Sequence, residues 1–502
     1  MDLLNIYEDE LNINKTFALL SFFVAQITFG SSNPWSRLAF ADLEEIKRLV
    51  SENHPGPLDK HNEWFNQWLE QGYEEAQDLA GKADTYQGYF FSLKFFVNGF
   101  KDGHLGYWSD LTVDRVKWPG FVIAKRGEHY IVHHISNNQV FKNLPPKGWL
   151  LSSCDGKSAA QLMKQNIFPY DGNKDLESHW IGKAPKLFVD VGNPFISKIR
   201  KCTFTNFHKT KKKYLDISWK HTNFRDISTY VENAGFGPIP KEFVQRQFGK
   251  GNYWISIPSF SPNESDSLQL ERIIHGLENL RSANLIVFDV RGNGGGNSQW
   301  AHNIVRSLYG EEYQSYRESL LPDQSYVDWR ASPGNLSYLQ AIVGNFRKTF
   351  GVESEVYQVF QAVAEKMANN KASTLLRQPE LDDNVTTSEE TVKIQSLVKA
   401  KVFFLTDGHC GSACLDFADA LLKMEGVVHI GLPTSADTLY MDIRQEKLPS
   451  SIGNIAFAMK VYRRRLRESN QAYTPKKLWE ADIWNTIQLE NWIMNLTQMS
   501  DL

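Results

Sequence analysis

The chain has 502 residues, 42% of them hydrophobic and 23% charged, with a formal net charge of −3. That length implies about two to four domains and enough apolar side chains for a large core. The near-neutral balance excludes the broad basic field of a nucleic-acid binder, and neither nucleic acid nor stable membrane insertion is expected.

At the N-terminus, Lys15 is followed by a mostly apolar run from Phe17 to Phe29 and then by Gly30-Ser-Ser32. A cation, an apolar stretch too short to span a bilayer and small residues suggest a secretory signal, so residues 1–34 are assigned to such a segment and the protein to the exported class. Glu8-Asp9-Glu10 in front of it is acidic where a signal is basic. The alternative is a cytoplasmic protein whose apolar N-terminal helix packs on the body.

Residues 35–115 carry a helical pattern of interleaved aromatic and acidic residues that ends in Phe95-Phe-Val-Asn-Gly-Phe-Lys-Asp102-Gly-His104-Leu-Gly-Tyr107. A histidine between glycines belongs on an irregular loop that other groups can approach closely. From Trp118 the period changes. Trp118–Ala124, Tyr130–Ile135 and Gly148–Lys157 read as short strands with turn punctuation. Residues 116–222 resemble a PDZ-type β domain with an insertion from about Gln161 to Lys183. That likeness implies capture of an extended peptide as an added strand, Gly120 and Phe121 being nearest to the apolar carboxylate-binding loop. The run Lys209-Thr-Lys-Lys-Lys213 reads as a solvated hairpin turn.

After a linker at residues 223–250, the segment 251–502 reads as an α/β core with a helical insertion at about 310–395. Its two most informative stretches are Leu285-Ile-Val-Phe-Asp289-Val-Arg291-Gly-Asn-Gly-Gly-Gly296 and Val402-Phe-Phe-Leu-Thr-Asp-Gly-His409-Cys410-Gly-Ser412-Ala413-Cys414. Each is a buried strand, a tight turn and the start of a helix. Free N–H groups and the positive dipole end at such a start suit a nucleophile beside an oxyanion hole. Gly292-x-Gly294 imitates a dinucleotide fingerprint, but the third glycine and the distal acid are missing. His409, Cys410 and Cys414 invite a zinc reading, yet four ligands with paired spacing are lacking, and buried thiols are expected instead. Four cysteines are too few to define a disulfide framework.

These stretches, with Ile430-Gly-Leu-Pro-Thr434, resemble the tail-specific or C-terminal processing serine peptidases, above all their tricorn-core-like branch. The resemblance implies a crotonase-like β/α spiral core and polypeptide substrates, with no cofactor or metal. It implies Ser412 as nucleophile, His104 as general base and a backbone oxyanion hole from Ala413 with Gly294 or Gly295. The lysine that many members place about 25 residues after the serine is Asp437 here, so a Ser–Lys dyad is not expected. His409 is a rival base. Glu468, before Pro475, stands near the branch's histidine-orienting acid with one residue more before the proline, and Asp437 is the other carboxylate to consider. The competing reading is a member without turnover that binds peptides or small hydrophobic ligands. The substrate's identity and the oligomeric state are not legible in the sequence.

Overall fold

The structure is a computed structural model that describes residues 33–112, 114–320, 324–379 and 393–498. The assigned signal segment therefore lies outside the described residues but for its last two. Among the described residues no helix is long and apolar enough to cross a membrane.

Three helices open the fold, Pro34–Asn53, Glu63–Gly81 and Tyr86–Asn98. Each starts on a polar cap: the side chains of Asn33, Asn62 and Thr85 accept from the amides of Trp35, Phe65 and Gly88. In the first helix Ala39, Leu43, Ile46 and Val50 recur at helical spacing and are fully buried. They pack on Ile455, Phe457 and Val461 of the long strand Gly453–Arg463. That strand centres a sheet completed by Gly106–Ser109, Tyr440–Lys447, Tyr326–Ala331 and Thr374–Arg377. The stretch expected as a helical insertion thus has helices at Pro333–Thr349 and Glu355–Ala368 and also supplies two strands.

The second sheet carries the strand–turn–helix units. Its order is Lys477–Leu478, Val427–Gly431, Lys401–Thr406, Leu285–Asp289, Asn252–Ser256 and Val244–Gln247, parallel except at the last strand. All five residues of Leu285–Asp289 are buried, as are Val402–Thr406. Covering both faces removes the need for alternation, which is why these strands read as continuous apolar runs. Asp289 pairs with Leu405, so the loops following both strands leave the same edge side by side.

Residues 121–216 form an antiparallel meander of five strands, Phe121–Arg126, His129–Ile135, Leu150–Cys154, Lys201–Thr205 and Lys212–Asp216. A two-stranded ribbon, Arg115–Trp118 with Lys220–Asn223, ties its entry to its exit. The expected free thiols are corrected here. Cys154 faces Cys202 across the meander and is bonded to it, and Cys410 is bonded to Cys414, which also takes both out of any zinc site. The first bond closes a separation of 48 residues within the meander. Replacing both Cys154 and Cys202 by serine is expected to lower unfolding free energy by about 2–4 kcal/mol in urea titrations. An unchanged midpoint would show that the cross-link adds nothing.

Candidate active site

The strand Lys401–Thr406 gives way to Asp407, and five residues later the chain makes a sharp turn at Ser412 into the helix Ala413–Leu421. Ser412 has φ +51° and ψ −126°, a conformation that side-chain-bearing residues avoid and that costs on the order of 1–3 kcal/mol. Three contacts hold it. The Ser412 amide donates to Asp437 Oδ2 at 2.6 Å, the Cys410–Cys414 bond straddles the turn, and Gly295 packs directly against it. A Cβ on Gly295 would lie 2.6 Å from Ser412 Cβ, 2.8 Å from Gly411 O and 2.9 Å from Ala413 N. Gly295 also has φ +103°. Only glycine allows this approach.

The glycine loop is fixed from below. Arg291 is buried and forms a two-point ion pair with Asp289, Nε to Oδ1 at 2.8 Å and a terminal nitrogen to Oδ2 at 2.6 Å. It also donates to the Ile483 carbonyl at 2.7 Å. The neighbouring carboxylates hold the guanidinium above its ordinary range against the opposing effect of burial. Asp407 accepts the Gly292 amide, and Asn293 Oδ1 accepts the Gly295 amide at 2.9 Å. Of the two expected oxyanion glycines, Gly295 therefore has its N–H committed. Gly294 lines the pocket with open space where a Cβ would stand. Ala413 begins its helix, where an amide has no intrahelical acceptor.

A cavity of about 470 Å3 brings together Ser412, His104, Gly294, His409 and Asp437. His104 sits on the loop after the third helix, held by its amide donating to Asp102 Oδ1 at 2.9 Å. Its Nδ1 is buried and has no partner among the described residues. Asp102 also accepts from the Thr438 hydroxyl at 2.6 Å and lies 3.0 Å from His54 Nε2. His54 Nδ1 accepts the Gly56 amide, so Nε2 carries the proton toward Asp102. Burial would raise the Asp102 carboxyl, but His54, His104 and Thr438 together hold it below the usual carboxylate range.

His409 is half-exposed, and its Nδ1 lies 3.0 Å from Asp407. Burial pulls this imidazole down, but the Asp407 charge and hydrogen bond leave it above the ordinary value. Glu468 is exposed and absent from the pocket wall; its amide donates to Gln471 Oε1. The wall is reached instead by Asn470, which donates to the carbonyls of Lys101 and Asp437. Gly120 and Phe121 stand apart from this cavity. Gly120 turns with φ +87°, and the Phe121 ring is fully buried against Phe188 and Phe204.

Sequence reasoning missed His54 and the Cys410–Cys414 bond. The first carries no motif; the second was signalled only by cysteines placed symmetrically about Ser412. Gly295→Ala is expected to abolish fluorophosphonate labelling of Ser412 while the purified protein keeps its far-ultraviolet circular dichroism. Labelling at the parental rate would mean that the loop and the turn are not as close as described.

Residues 253–471 match the model of Peptidase family S41. No curated protein sequence matches. Among solved structures, mature CPAF aligns with a TM-score of 0.59 at 12% identity, covering 93% of this chain and 99% of that one. Mature CPAF complexed with lactacystin aligns at 0.57, with 12% identity and coverage of 92% and 97%. At that identity the likeness is one of fold, and it extends through the N-terminal helices and the meander. Residues 253–471, with Ser412 and the glycine loop inside them, are thus similar to the serine peptidases of family S41.

Proposed function

We propose that the chain hydrolyses peptide bonds with Ser412 as nucleophile and His104 as general base, in the manner of the tricorn-core-like branch. The observation that carries this reading is the shared cavity of Ser412, His104 and Gly294 at the N-terminus of the helix Ala413–Leu421. In that scheme the imidazole of His104 takes the hydroxyl proton as Oγ bonds to the scissile carbonyl carbon. The carbonyl oxygen, now negative, would accept from the amides of Ala413 and Gly294, donors fixed in the backbone before the reaction. The proton passes to the leaving amine as the C–N bond breaks, and water then hydrolyses the acyl-serine with the same base.

The acid beside the base is better supplied by Asp102 than by Glu468. Asp102 is buried on the His104 loop, whereas Glu468 is exposed. Asp437 serves the serine turn through its amide, so the position where other members place a lysine here holds the nucleophile's backbone. The parallel sheet flanked by helices supports a crotonase-like core. The antiparallel meander supports a PDZ-like peptide-binding domain in which backbone at Gly120, rather than the buried Phe121 ring, would meet a peptide.

Two disulfides in one chain support export to an oxidising compartment. Sequencing the N-terminus of protein recovered outside the cytoplasm should give a start between residues 30 and 33. Protein that retains Met1 and stays in the cytoplasm would contradict export.

Ser412→Ala should abolish peptidase activity and fluorophosphonate labelling with little change in Tm. His104→Ala should lower kcat by roughly 10³-fold or more, because members of a catalytic unit fail together. Glu468→Gln should retain activity within about threefold, an exposed charge being worth little. Labelling that survives Ser412→Ala would overturn the nucleophile. Full activity in His104→Ala would shift the base to His409.

A further inference from the structure

Four large apolar side chains that the fold leaves exposed, Trp108, Leu111, Val191 and Phe224, gather around one cleft of about 1050 Å3. Apolar groups so grouped on a surface mark a binding site more often than scattered ones do. The cleft lies beside the third helix and adjoins a second cavity of about 370 Å3. The two share Phe90, Phe91 and Lys94 of that helix, one turn apart on one face, together with Val191 and Phe224.

Lys94 is the one charged group common to both cavities. Among the described residues it has no hydrogen-bond or ion-pair partner. The nearby carboxylate, Asp171, already accepts from Lys183 at 2.6 Å and from Lys186. Asp190, the other acid in the smaller cavity, is paired with Lys198 at 2.8 Å. Lys94 is therefore a half-buried ammonium without an ion-pair partner among the described residues, in a cleft whose wider part also carries Asp114, Arg225 and Asp226. Burial draws Lys94 below the ordinary lysine range, with Asp171 opposing. An incoming carboxylate would restore what the desolvated ammonium lacks. Asp171 also lines the cavity of Ser412, so the apolar cavity and the catalytic pocket lie on two sides of one residue.

We propose that this cleft with its adjoining cavity is an exosite for the polypeptide substrate, taking an apolar segment that carries an acidic side chain, with the carboxylate paired to Lys94. The proposal rests on the peptidase reading for its use, but binding can be measured without turnover. A chain held in the Ser412 pocket can continue past Asp171 into the cleft, which would favour long or unfolded substrates over short peptides.

The test uses the full chain with Ser412→Ala and a fluorescein-labelled ten-residue peptide of leucine and phenylalanine with one central glutamate, followed by anisotropy. Adding Lys94→Met or Phe224→Ser should weaken binding about tenfold, with Tm unchanged in the Phe224→Ser protein, whose altered side chain is exposed. The same peptide with glutamine for glutamate should bind about tenfold more weakly to the parent and be indifferent to Lys94→Met. In the Ser412 protein, both substitutions should raise KM for an unfolded polypeptide about tenfold, while kcat/KM for a tetrapeptide ester is retained. Equal affinity across the variants would overturn the exosite. So would displacement of the probe by dodecanoate but not by unlabelled peptide, which would assign the cleft to a lipid. Peptide binding with no hydrolysis by the Ser412 protein would instead sink the peptidase reading and leave this site standing.

Discussion

The approach of Gly295 to the Ser412 turn is the constraint on which the site depends. Two loops leave the same sheet edge because Leu285–Asp289 and Lys401–Thr406 run parallel in register. They can touch backbone to backbone only because Gly295 lacks a Cβ and takes φ +103°. That contact holds Ser412 in an unfavourable conformation, which presents its hydroxyl above the N-terminus of a helix. The cost is met by the surrounding packing rather than by the serine itself.

The motif residues around Gly295 serve this contact from a distance. Asp289 and Arg291 do no chemistry in this account. They form a buried two-point ion pair with further bonds to Ile483 and Trp254, which sets where the glycine loop leaves the strand. Breaking such a pair by removing one partner typically costs about 3–5 kcal/mol, because a charge is left buried alone. Asp407 and Asn293 then each take up one loop amide, at Gly292 and Gly295. Gly294 lines the pocket, with open space where a Cβ would stand.

How much of this was legible follows from what each feature depends on. The strand–turn–helix units were legible because a strand buried on both faces must be apolar throughout and must stop at the turn, as Leu285–Asp289 and Val402–Thr406 do. The insertion was less so. Tyr326–Ala331 and Thr374–Arg377 are short strands whose partner, Gly453–Arg463, lies elsewhere in the chain, and local pattern favours the long helices between them. The disulfides were not legible, since cysteine spacing alone does not show which side chains face each other. For the site, the order of motifs pointed to Ser412 and His104, but only the fold shows that the third helix brings the His104 loop over the serine turn. Glu468 shows the opposite case. Asn470 reaches the pocket wall while Glu468 faces solvent, which spacing to Pro475 alone does not decide. The commitment of the Gly295 amide to Asn293 likewise depends on a side-chain orientation that no spacing encodes.

The most direct test of the central claim is a crystal structure of the protein with a peptide aldehyde, which mimics the tetrahedral intermediate. The account predicts a covalent bond from Ser412 Oγ to the aldehyde carbon. Its oxygen should lie about 3 Å from the amides of both Ala413 and Gly294, and an imidazole nitrogen of His104 should lie within hydrogen-bond reach of Oγ. An adduct on another residue, or an oxygen directed away from both amides, would contradict it.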